Sequence, residues 1–295
     1  MQAREAISAA SRIKAVVDIN GARLTYTEAG RGELLVFVHG SLEDLRVWRR
    51  QVELFSAHYR VIAYSRRYHH PNAAPSDGDP VYTASLHAVD LAGLIEKLNL
   101  GPAHLVASSF GGCVALALAV ARPELVRSLV LAEPPLMPWL EHISGGAPLA
   151  AAFYEDAWRP AQLAFQAGDA ERGIRLFLDG VVGRGPSTSL RTGAFDRLSA
   201  SGQHMILDNA AEMQAETLSP DSFPALTCAD LAALDRPVLL LNGELSPRMF
   251  RLINAELARC LPRATQAVIP HTSHAIHVGN PPSYQEAVRE FLARG

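Results

Sequence analysis

Apolar residues follow two patterns along this 295-residue chain, one alternating and one continuous. Residues 15–19 and 23–28 alternate, and the Asn20-Gly21 pair between them is a strong signal for a β-hairpin turn. Later segments are apolar at nearly every position, which is typical of parallel strands buried on both faces. These runs predict strands at residues 34–38, 59–64, 104–106, 125–132, 237–241 and 264–269.

Apolar positions at helical spacing separate these strands. They predict helices over residues 45–55, 82–98, 113–122 and 283–293. Strands and helices that alternate with short connections form a mostly parallel sheet with helices on both faces. The predicted fold class is therefore α/β, a doubly wound and mostly parallel sheet that opens with an antiparallel hairpin.

The pattern changes between residues 136 and 235, where helix-like pieces are broken by glycines and carry bulky aromatic residues. We interpret this stretch as a helical cap inserted between two parts of one core, residues 1–135 and 236–295. Most of its aromatic side chains should form a small core of the cap. A few, such as Trp139 and Trp158, are candidates for lining an apolar substrate pocket.

The composition narrows the class of protein. The chain is 48% apolar and 19% charged with a net charge of −3, so nothing favours nucleic acid or a membrane surface as a partner. No apolar run approaches the roughly 20 residues that span a bilayer, and no secretory signal is visible. We expect a cytoplasmic protein that acts on a small molecule. Its few lysines suggest a bacterial source, and a homodimer stays open.

Three cysteines, Cys113, Cys228 and Cys260, lie far apart without a C-x-x-C pair. This spacing predicts neither a disulfide framework nor a zinc site. The expected compartment is therefore reducing.

The first candidate for chemistry is Ser109. It stands in Ala107-Ser108-Ser109-Phe110-Gly111, which matches the motif G-x-S-x-G except for the first position. That motif is a sharp turn between a strand and a helix, and it exposes a serine nucleophile. Alanine is the next smallest residue after glycine, so the substitution is small. The pentapeptide alone could be an ordinary turn, but the buried strand before it and the apolar helix after it favour a nucleophile.

A serine hydroxyl needs a base to take its proton. His274 lies in the loop after the last predicted strand, at the sheet edge where Ser109 is expected. His271 and His277 are rivals, and the three could be read as metal ligands. A known zinc spacing is absent, so we favour His274 as the base and predict no metal.

Two backbone N–H groups are candidates for stabilising an oxyanion. One belongs to Phe110, at the start of the helix after the nucleophile. The other belongs to Ser41, which follows His39-Gly40 at the end of the predicted strand 34–38. We expect His39 to shape this loop rather than act as a second base.

These motifs, in this order over nearly the whole chain, resemble the α/β-hydrolase family. In that family the catalytic histidine commonly precedes a proline by seven residues, and Pro281 follows His274 by seven. The family's usual acid is an aspartate in a G-x-x-D turn, but here that turn ends in Ser246. Some branches, including haloalkane dehalogenases and zearalenone-type lactonases, place the acid after the strand that follows the nucleophile helix. That position is Glu133, with Glu244 as the alternative.

The resemblance also draws attention to residues 65–71, because the family usually has an acidic, glycine-rich loop there. In this chain the loop carries Arg66, Tyr68 and His69. A structurally paired basic loop is one interpretation, and a clamp for a substrate carboxylate is the other.

We therefore expect a serine hydrolase that cleaves an ester or lactone of a moderately apolar small molecule through an acyl-enzyme on Ser109. Dehalogenase and epoxide hydrolase chemistry are disfavoured, because those relatives carry a carboxylate at the nucleophile position. No cofactor is implied. The alternative is a non-hydrolytic member of the fold, such as a ligand-binding receptor or a biosynthetic cyclase.

Overall fold

A computed structural model describes residues 13–99, 101–183 and 193–294. These residues form one eight-stranded sheet in the order β1-β2-β4-β3-β5-β6-β7-β8. The first two strands pair antiparallel, as does β2 with β4, and every other neighbouring pair is parallel. The strands are β1 Ile13–Ile19, β2 Ala22–Ala29, β3 Leu34–Val38, β4 Arg60–Tyr64, β5 Ala103–Ser108, β6 Val126–Ala132, β7 Val238–Gly243 and β8 Ala264–Ile269.

Helices cover both faces of the sheet, so the central strands are buried on both sides. Val36 and Leu105 pack in the core cluster that includes residues of α2 and α3. Their strand neighbours Leu35 and Val106 point the other way, into the cluster that includes residues of α1 and α12. Helices of this core are α1 Arg49–Phe55, α2 Ala84–Lys97, α3 Phe110–Ala121, α10 Arg248–Cys260, α11 Ile276–Gly279 and α12 Pro281–Leu292. The predicted α/β fold class is confirmed.

Between β6 and β7 the described residues form helices joined by loops, and they include no strand. It comprises α4 Ala147–Phe153, α5 Arg159–Gln166, α6 Ala170–Val182, α7 Ala200–Asp208, α8 Ala210–Leu218 and α9 Cys228–Ala232. A π-helical turn, Tyr154–Trp158, joins α4 to α5. The division into a core and an inserted cap, with its bounds at 136 and 235, stays a prediction.

Two outcomes differ from expectation. Helix α10 was not predicted, although it buries Met249, Phe250, Ile253 and Leu257 at helical spacing.

The prediction of no disulfide was wrong: Cys228 and Cys260 are bonded, with Cα atoms 5.1 Å apart. Packing of α9 against α10 brings the two together, and their separation of 32 residues gives no sign of this. The expected reducing compartment therefore loses its basis.

In the described ranges, no helix combines the length and the apolar character that a membrane crossing requires.

Candidate active site

Ser109 occupies a sharp turn between β5 and α3. Its backbone has φ +50° and ψ −128°, a left-handed conformation that non-glycine residues adopt at a cost of roughly 1–3 kcal/mol. The neighbouring chain tolerates this turn because side chains are missing where backbones meet. A Cβ atom added to Gly111 would lie 2.5 Å from the carbonyl oxygens of both Val38 and His39. The turn therefore places the serine hydroxyl at the carboxyl edge of the sheet.

The His274 ring connects Ser109 to Glu133. Nε2 of His274 lies 2.9 Å from Oγ of Ser109, and Nδ1 lies 2.7 Å from Oε2 of Glu133. A carboxylate can only accept, so the Nδ1 proton faces Glu133 and Nε2 is free to accept the serine proton. Phe250 of α10 stacks on the ring, with centroids 4.0 Å apart and planes inclined by 14°. The ring is thereby fixed in both position and tautomer.

Glu133 directly follows β6, is fully buried, and also has a positive φ, +51°. Its second oxygen, Oε1, accepts hydrogen bonds from the backbone N–H of Gly243 at 2.9 Å and from Nδ2 of Asn242 at 3.1 Å. Asn254 of α10 in turn donates to Oδ1 of Asn242 at 3.1 Å. Burial works to raise the pKa of Glu133, but the hydrogen bond and charge of His274 outweigh it, so the pKa of Glu133 is lowered. The carboxylate is therefore held ionised.

The rival residues lie elsewhere. Glu244 is half-exposed and accepts from the backbone N–H of His271 at 2.8 Å, and His271 is itself exposed. His277 is buried with Nε2 3.3 Å from Oε1 of Glu43. The Ser246 hydroxyl lies close enough to Glu133 to contribute to the lowered pKa of that carboxyl. Among the candidate residues, the structure brings Ser109, His274 and Glu133 together.

Metal binding has one candidate group among the described residues, Cys228, Glu256 and Cys260. Both sulfur atoms are already joined in the disulfide, so neither is a thiolate ligand.

The loop His39-Gly40-Ser41 lies directly against the nucleophile. A Cβ atom on Gly40 would be 3.0 Å from Cβ of Ser109, which places the Gly40–Ser41 peptide beside the serine. Both nitrogens of the buried His39 ring face backbone groups: Nε2 accepts from the N–H of Arg66 at 2.9 Å, and Nδ1 lies 2.9 Å from the Gly40 carbonyl oxygen. Burial and the nearby Arg66 charge lower the pKa of His39 to about 3. His39 is thus a neutral ring within the loop.

Arg66 and His69 are buried behind this loop. The guanidinium of Arg66 donates to the carbonyl oxygens of His39 and Gly40, both at 3.1 Å, and to the Tyr82 hydroxyl at 2.9 Å. Nδ1 of His69 lies 2.8 Å from the carbonyl oxygen of Glu43. These contacts favour the structurally paired interpretation of the basic loop over a substrate clamp.

Tyr68 lies at the edge of the same loop. Its hydroxyl donates to the carbonyl oxygen of Pro80 at 2.9 Å, and its ring lines a cavity of about 470 Å³ next to the first hairpin. None of the residues that line this cavity is Ser109, His274 or Glu133.

The two tryptophans differ in their relation to the site. Trp139 donates its indole N–H to the carbonyl oxygen of Leu226 at 2.7 Å and lines a separate cleft of about 450 Å³. Trp158 belongs to an aromatic cluster that reaches the site: its ring lies 5.7 Å from Phe223, and Phe223 lies 6.2 Å from Phe110.

Two buried glutamates of α8 were not predicted as part of the site. Glu212 accepts from the backbone N–H of Leu42 and from the Tyr82 hydroxyl, the latter at 3.0 Å, and the Ser41 hydroxyl lies close enough to Glu216 to act on the pKa of that carboxyl. Burial raises the pKa of Glu212 to about 8 and that of Glu216 to about 7. Acidic residues four apart in a helix are ordinarily exposed, so the sequence offered no signal for this pair.

A model of the alpha/beta hydrolase fold family matches residues 33–281, and the chain belongs to this family. The 2-(acetamidomethylene)succinate hydrolase of Mesorhizobium japonicum is 26% identical over 288 residues, which cover 94% of each chain.

Solved structures show the same fold. Est816, an N-acyl homoserine lactone degrading enzyme, matches with a TM-score of 0.72 and 23% identity, over 94% of this chain and all of that one. The carboxylesterase CesB of Bacillus subtilis matches with a TM-score of 0.71 and 18% identity, over 97% and 93% of the two chains. The chain thus belongs to the alpha/beta hydrolase fold family, and solved structures with this fold include a carboxylesterase and a lactone-degrading enzyme.

Proposed function

We propose that this hydrolase cleaves an ester or lactone of a moderately apolar small molecule, with Ser109 as the nucleophile. The observation that carries the proposal is the continuous pair of hydrogen bonds from Ser109 through His274 to Glu133. In this arrangement Oγ of Ser109 attacks the substrate carbonyl carbon, and its proton passes to Nε2 of His274. The Glu133 carboxylate stabilises the imidazolium that forms.

The tetrahedral intermediate places a negative charge on the former carbonyl oxygen. The backbone N–H groups of Phe110 and Ser41 are the proposed donors to that oxygen, each worth roughly 3 kcal/mol in the transition state. Collapse of the intermediate breaks the bond to the leaving oxygen, which takes the proton from Nε2 and departs as an alcohol. Water then attacks the acyl carbon and gives its proton to Nε2, after which the bond to Oγ of Ser109 breaks, Oγ takes the proton from Nε2, and the acid is released. In a lactone the alcohol and the acid are one molecule.

The names of relatives support this bond class. Est816 is named for lactone degradation and CesB as a carboxylesterase. The Mesorhizobium relative is named as a hydrolase of 2-(acetamidomethylene)succinate. The proposal for this chain takes the ester and lactone class from these names and the nucleophile from its own geometry.

Covalent labelling tests the nucleophile. A fluorophosphonate probe should modify the wild-type protein, and mass spectrometry should locate the adduct on the peptide that contains Ser109. Ser109→Ala should abolish labelling, while Ser108→Ala serves as the matched control and should retain it. A wild-type protein that stays unlabelled would favour a non-hydrolytic ligand-binding member of the fold.

A substrate panel tests the bond class. Purified protein is assayed with p-nitrophenyl esters of increasing chain length, with aliphatic lactones and with anilides of the same acids. Hydrolysis of esters or lactones that disappears in Ser109→Ala supports the proposal. Labelling at Ser109 together with cleavage of anilides alone would contradict the ester and lactone assignment.

A further inference from the structure

The peptide bond between Gly40 and Ser41 is held from its carbonyl side by a buried cation. Arg66 Nη2 donates to the Gly40 oxygen at 3.1 Å, and the neutral His39 ring approaches the same oxygen with Nδ1 at 2.9 Å. The carbonyl of a trans peptide points opposite to the N–H of the same unit. Bonds that fix the Gly40 oxygen therefore also fix the direction of the Ser41 N–H, which is the proposed oxyanion donor.

A cation on the carbonyl oxygen also changes the strength of that donor. Hydrogen bonds in a chain polarise one another, so a guanidinium on the oxygen of a peptide makes its N–H more positive. The effect is largest where water is absent, and Arg66 is 1% exposed. The same guanidinium lies 4.9 Å from the ring centroid of Phe110, the residue that carries the second proposed donor. Arg66 thus bonds the peptide unit that carries one proposed donor and lies against the ring of the residue that carries the other.

Helix α8 completes the support of this loop. Glu212 accepts from the backbone N–H of Leu42 and from the Tyr82 hydroxyl, and Arg66 Nη1 donates to that same hydroxyl at 2.9 Å. The contacts form a closed circuit that passes from Leu42 through Glu212, Tyr82 and Arg66 back to Gly40. The guanidinium of Arg66 has three oxygen acceptors, the carbonyls of His39 and Gly40 and the hydroxyl of Tyr82, and these hydrogen bonds offset the cost of burying the cation.

We infer that Arg66 is a positioning residue of the oxyanion hole, which orients and polarises the Gly40–Ser41 peptide, with Glu212 and Tyr82 holding it in place. The inference rests on the proposed function and deepens it. It differs from a substrate-clamp role, because the guanidinium contacts the loop backbone and the Tyr82 hydroxyl.

The test compares two buried arginines that are neighbours in the chain. Arg66→Met removes the proposed support, and Arg67→Met is the matched control, because Arg67 is also buried but bonds Asp90 at 2.7 Å and the carbonyl oxygen of Asn20 at 2.9 Å. Both variants remove a buried guanidinium and leave its hydrogen-bond acceptors unpaired, so both should lower the thermal midpoint. Only Arg66→Met should lower kcat for p-nitrophenyl butyrate, by about 10- to 100-fold with little change in KM, since loss of a whole oxyanion donor costs 10²–10³.

A second readout reports the oxyanion itself. A trifluoromethyl ketone adds to an active-site serine and forms a tetrahedral oxyanion, so its inhibition constant should rise in Arg66→Met by the same factor as kcat/KM falls. In Arg67→Met the inhibition constant should not change. Arg66→Lys keeps the charge but loses the planar two-point contact, and it should fall between wild type and Arg66→Met.

The outcomes separate this inference from the function on which it rests. If the wild type hydrolyses the ester while Arg66→Met and Arg67→Met have the same kcat and inhibition constants, the inference fails alone. If Arg66→Met does not fold, Arg66→Lys and Tyr82→Phe decide by the same criterion against Arg67→Lys. A wild-type protein inert toward both ester and ketone would overturn the proposed function and this inference with it.

Discussion

The carboxylate of Glu133 lies 2.7 Å from Nδ1 of His274, although 141 residues separate them in the chain. The turn that matches the family's more common acid position ends in Ser246. The acid that faces the histidine therefore comes from the end of β6, one strand earlier, and it is anchored on β7 through Asn242 and Gly243. If Glu133 fixes the imidazole tautomer, removing its charge should lower the rate of hydrolysis more than the stability of the fold.

Replacing Glu133 tests that role. Glu133→Gln keeps the size of the side chain but presents an amide to Nδ1, so the ring can adopt the wrong tautomer. We expect kcat for ester hydrolysis to fall by about 10⁴ while KM changes little. Steady-state kinetics with p-nitrophenyl esters measure both constants.

Two matched controls accompany this variant. Glu244→Gln and Ser246→Ala should retain kcat within a few-fold, because neither side chain bonds His274. An inactive Glu244→Gln beside an active Glu133→Gln would show that the acid is assigned to the wrong residue.

Gly111 tests how closely the turn must pack. A methyl group at this position would lie 2.5 Å from two backbone oxygens, so Gly111→Ala must push α3 away from the loop 38–40. We expect a loss of about 1–3 kcal/mol in the free energy of unfolding and a large loss of labelling at Ser109. Urea denaturation and probe labelling measure the two effects.

Gly202 is the control for this substitution. It lies in α7, where an added methyl group meets no atom closer than 3.4 Å. Gly202→Ala should leave labelling intact and stabilise the fold slightly. Equal effects of the two substitutions on labelling and on the free energy of unfolding would show that close packing at the turn is not required for either.

The buried pair on α8 predicts a dependence of stability on pH. Burial raises the pKa of Glu216 from its ordinary 4.5 to about 7. Between these values the folded protein holds a proton that the unfolded chain has lost, so stability falls as pH rises through this window. The slope is at most about 1.4 kcal/mol per pH unit for one proton.

Glu216→Gln should remove the contribution of Glu216 to this slope, while Glu212, with its pKa raised to about 8, keeps its own. The free energy of unfolding of the variant, relative to that of wild type, should therefore rise by ~2 kcal/mol between pH 5 and pH 7. Urea denaturation at each pH measures it. Glu155→Gln, at an exposed position, is the control and should follow the wild-type curve. Parallel curves for wild type and Glu216→Gln would show that the glutamate does not hold a proton in the folded state.

The disulfide predicts a dependence on redox conditions. Cys228–Cys260 closes a loop of 32 residues and joins α9 to α10, the helix that carries Phe250 and Asn254. Cys228→Ser should lower the free energy of unfolding by about 2–4 kcal/mol under oxidising conditions. A reductant should lower the free energy of unfolding of wild type to that of the variant. Cys113→Ser is the control, because Cys113 is outside the disulfide. If reductant leaves the free energy of unfolding of wild type unchanged, the Cys228–Cys260 bond is contradicted.

Local patterns determined much of this protein. Continuous apolar runs define strands that are buried on both faces, so the sheet and its doubly wound class follow from the sequence. The small residues around Ser109 predicted the sharp turn, because two backbones can meet only where side chains are absent. Chain order also indicated His274, since parallel strands deliver their carboxyl ends to one edge, and the resemblance to the α/β-hydrolase family indicated Glu133 as its acid.

Only the tertiary structure decided which side chains meet across that edge. It turned Arg66 toward the loop backbone, set Glu212 and Glu216 of α8 behind Ser41, stacked Phe250 on His274 and joined Cys228 to Cys260. The physical reason is the separation along the chain between the residues that interact. Burial and turn geometry leave a periodic trace within a dozen residues, whereas a contact between distant elements depends on how helices pack on the sheet, and that packing leaves no local pattern.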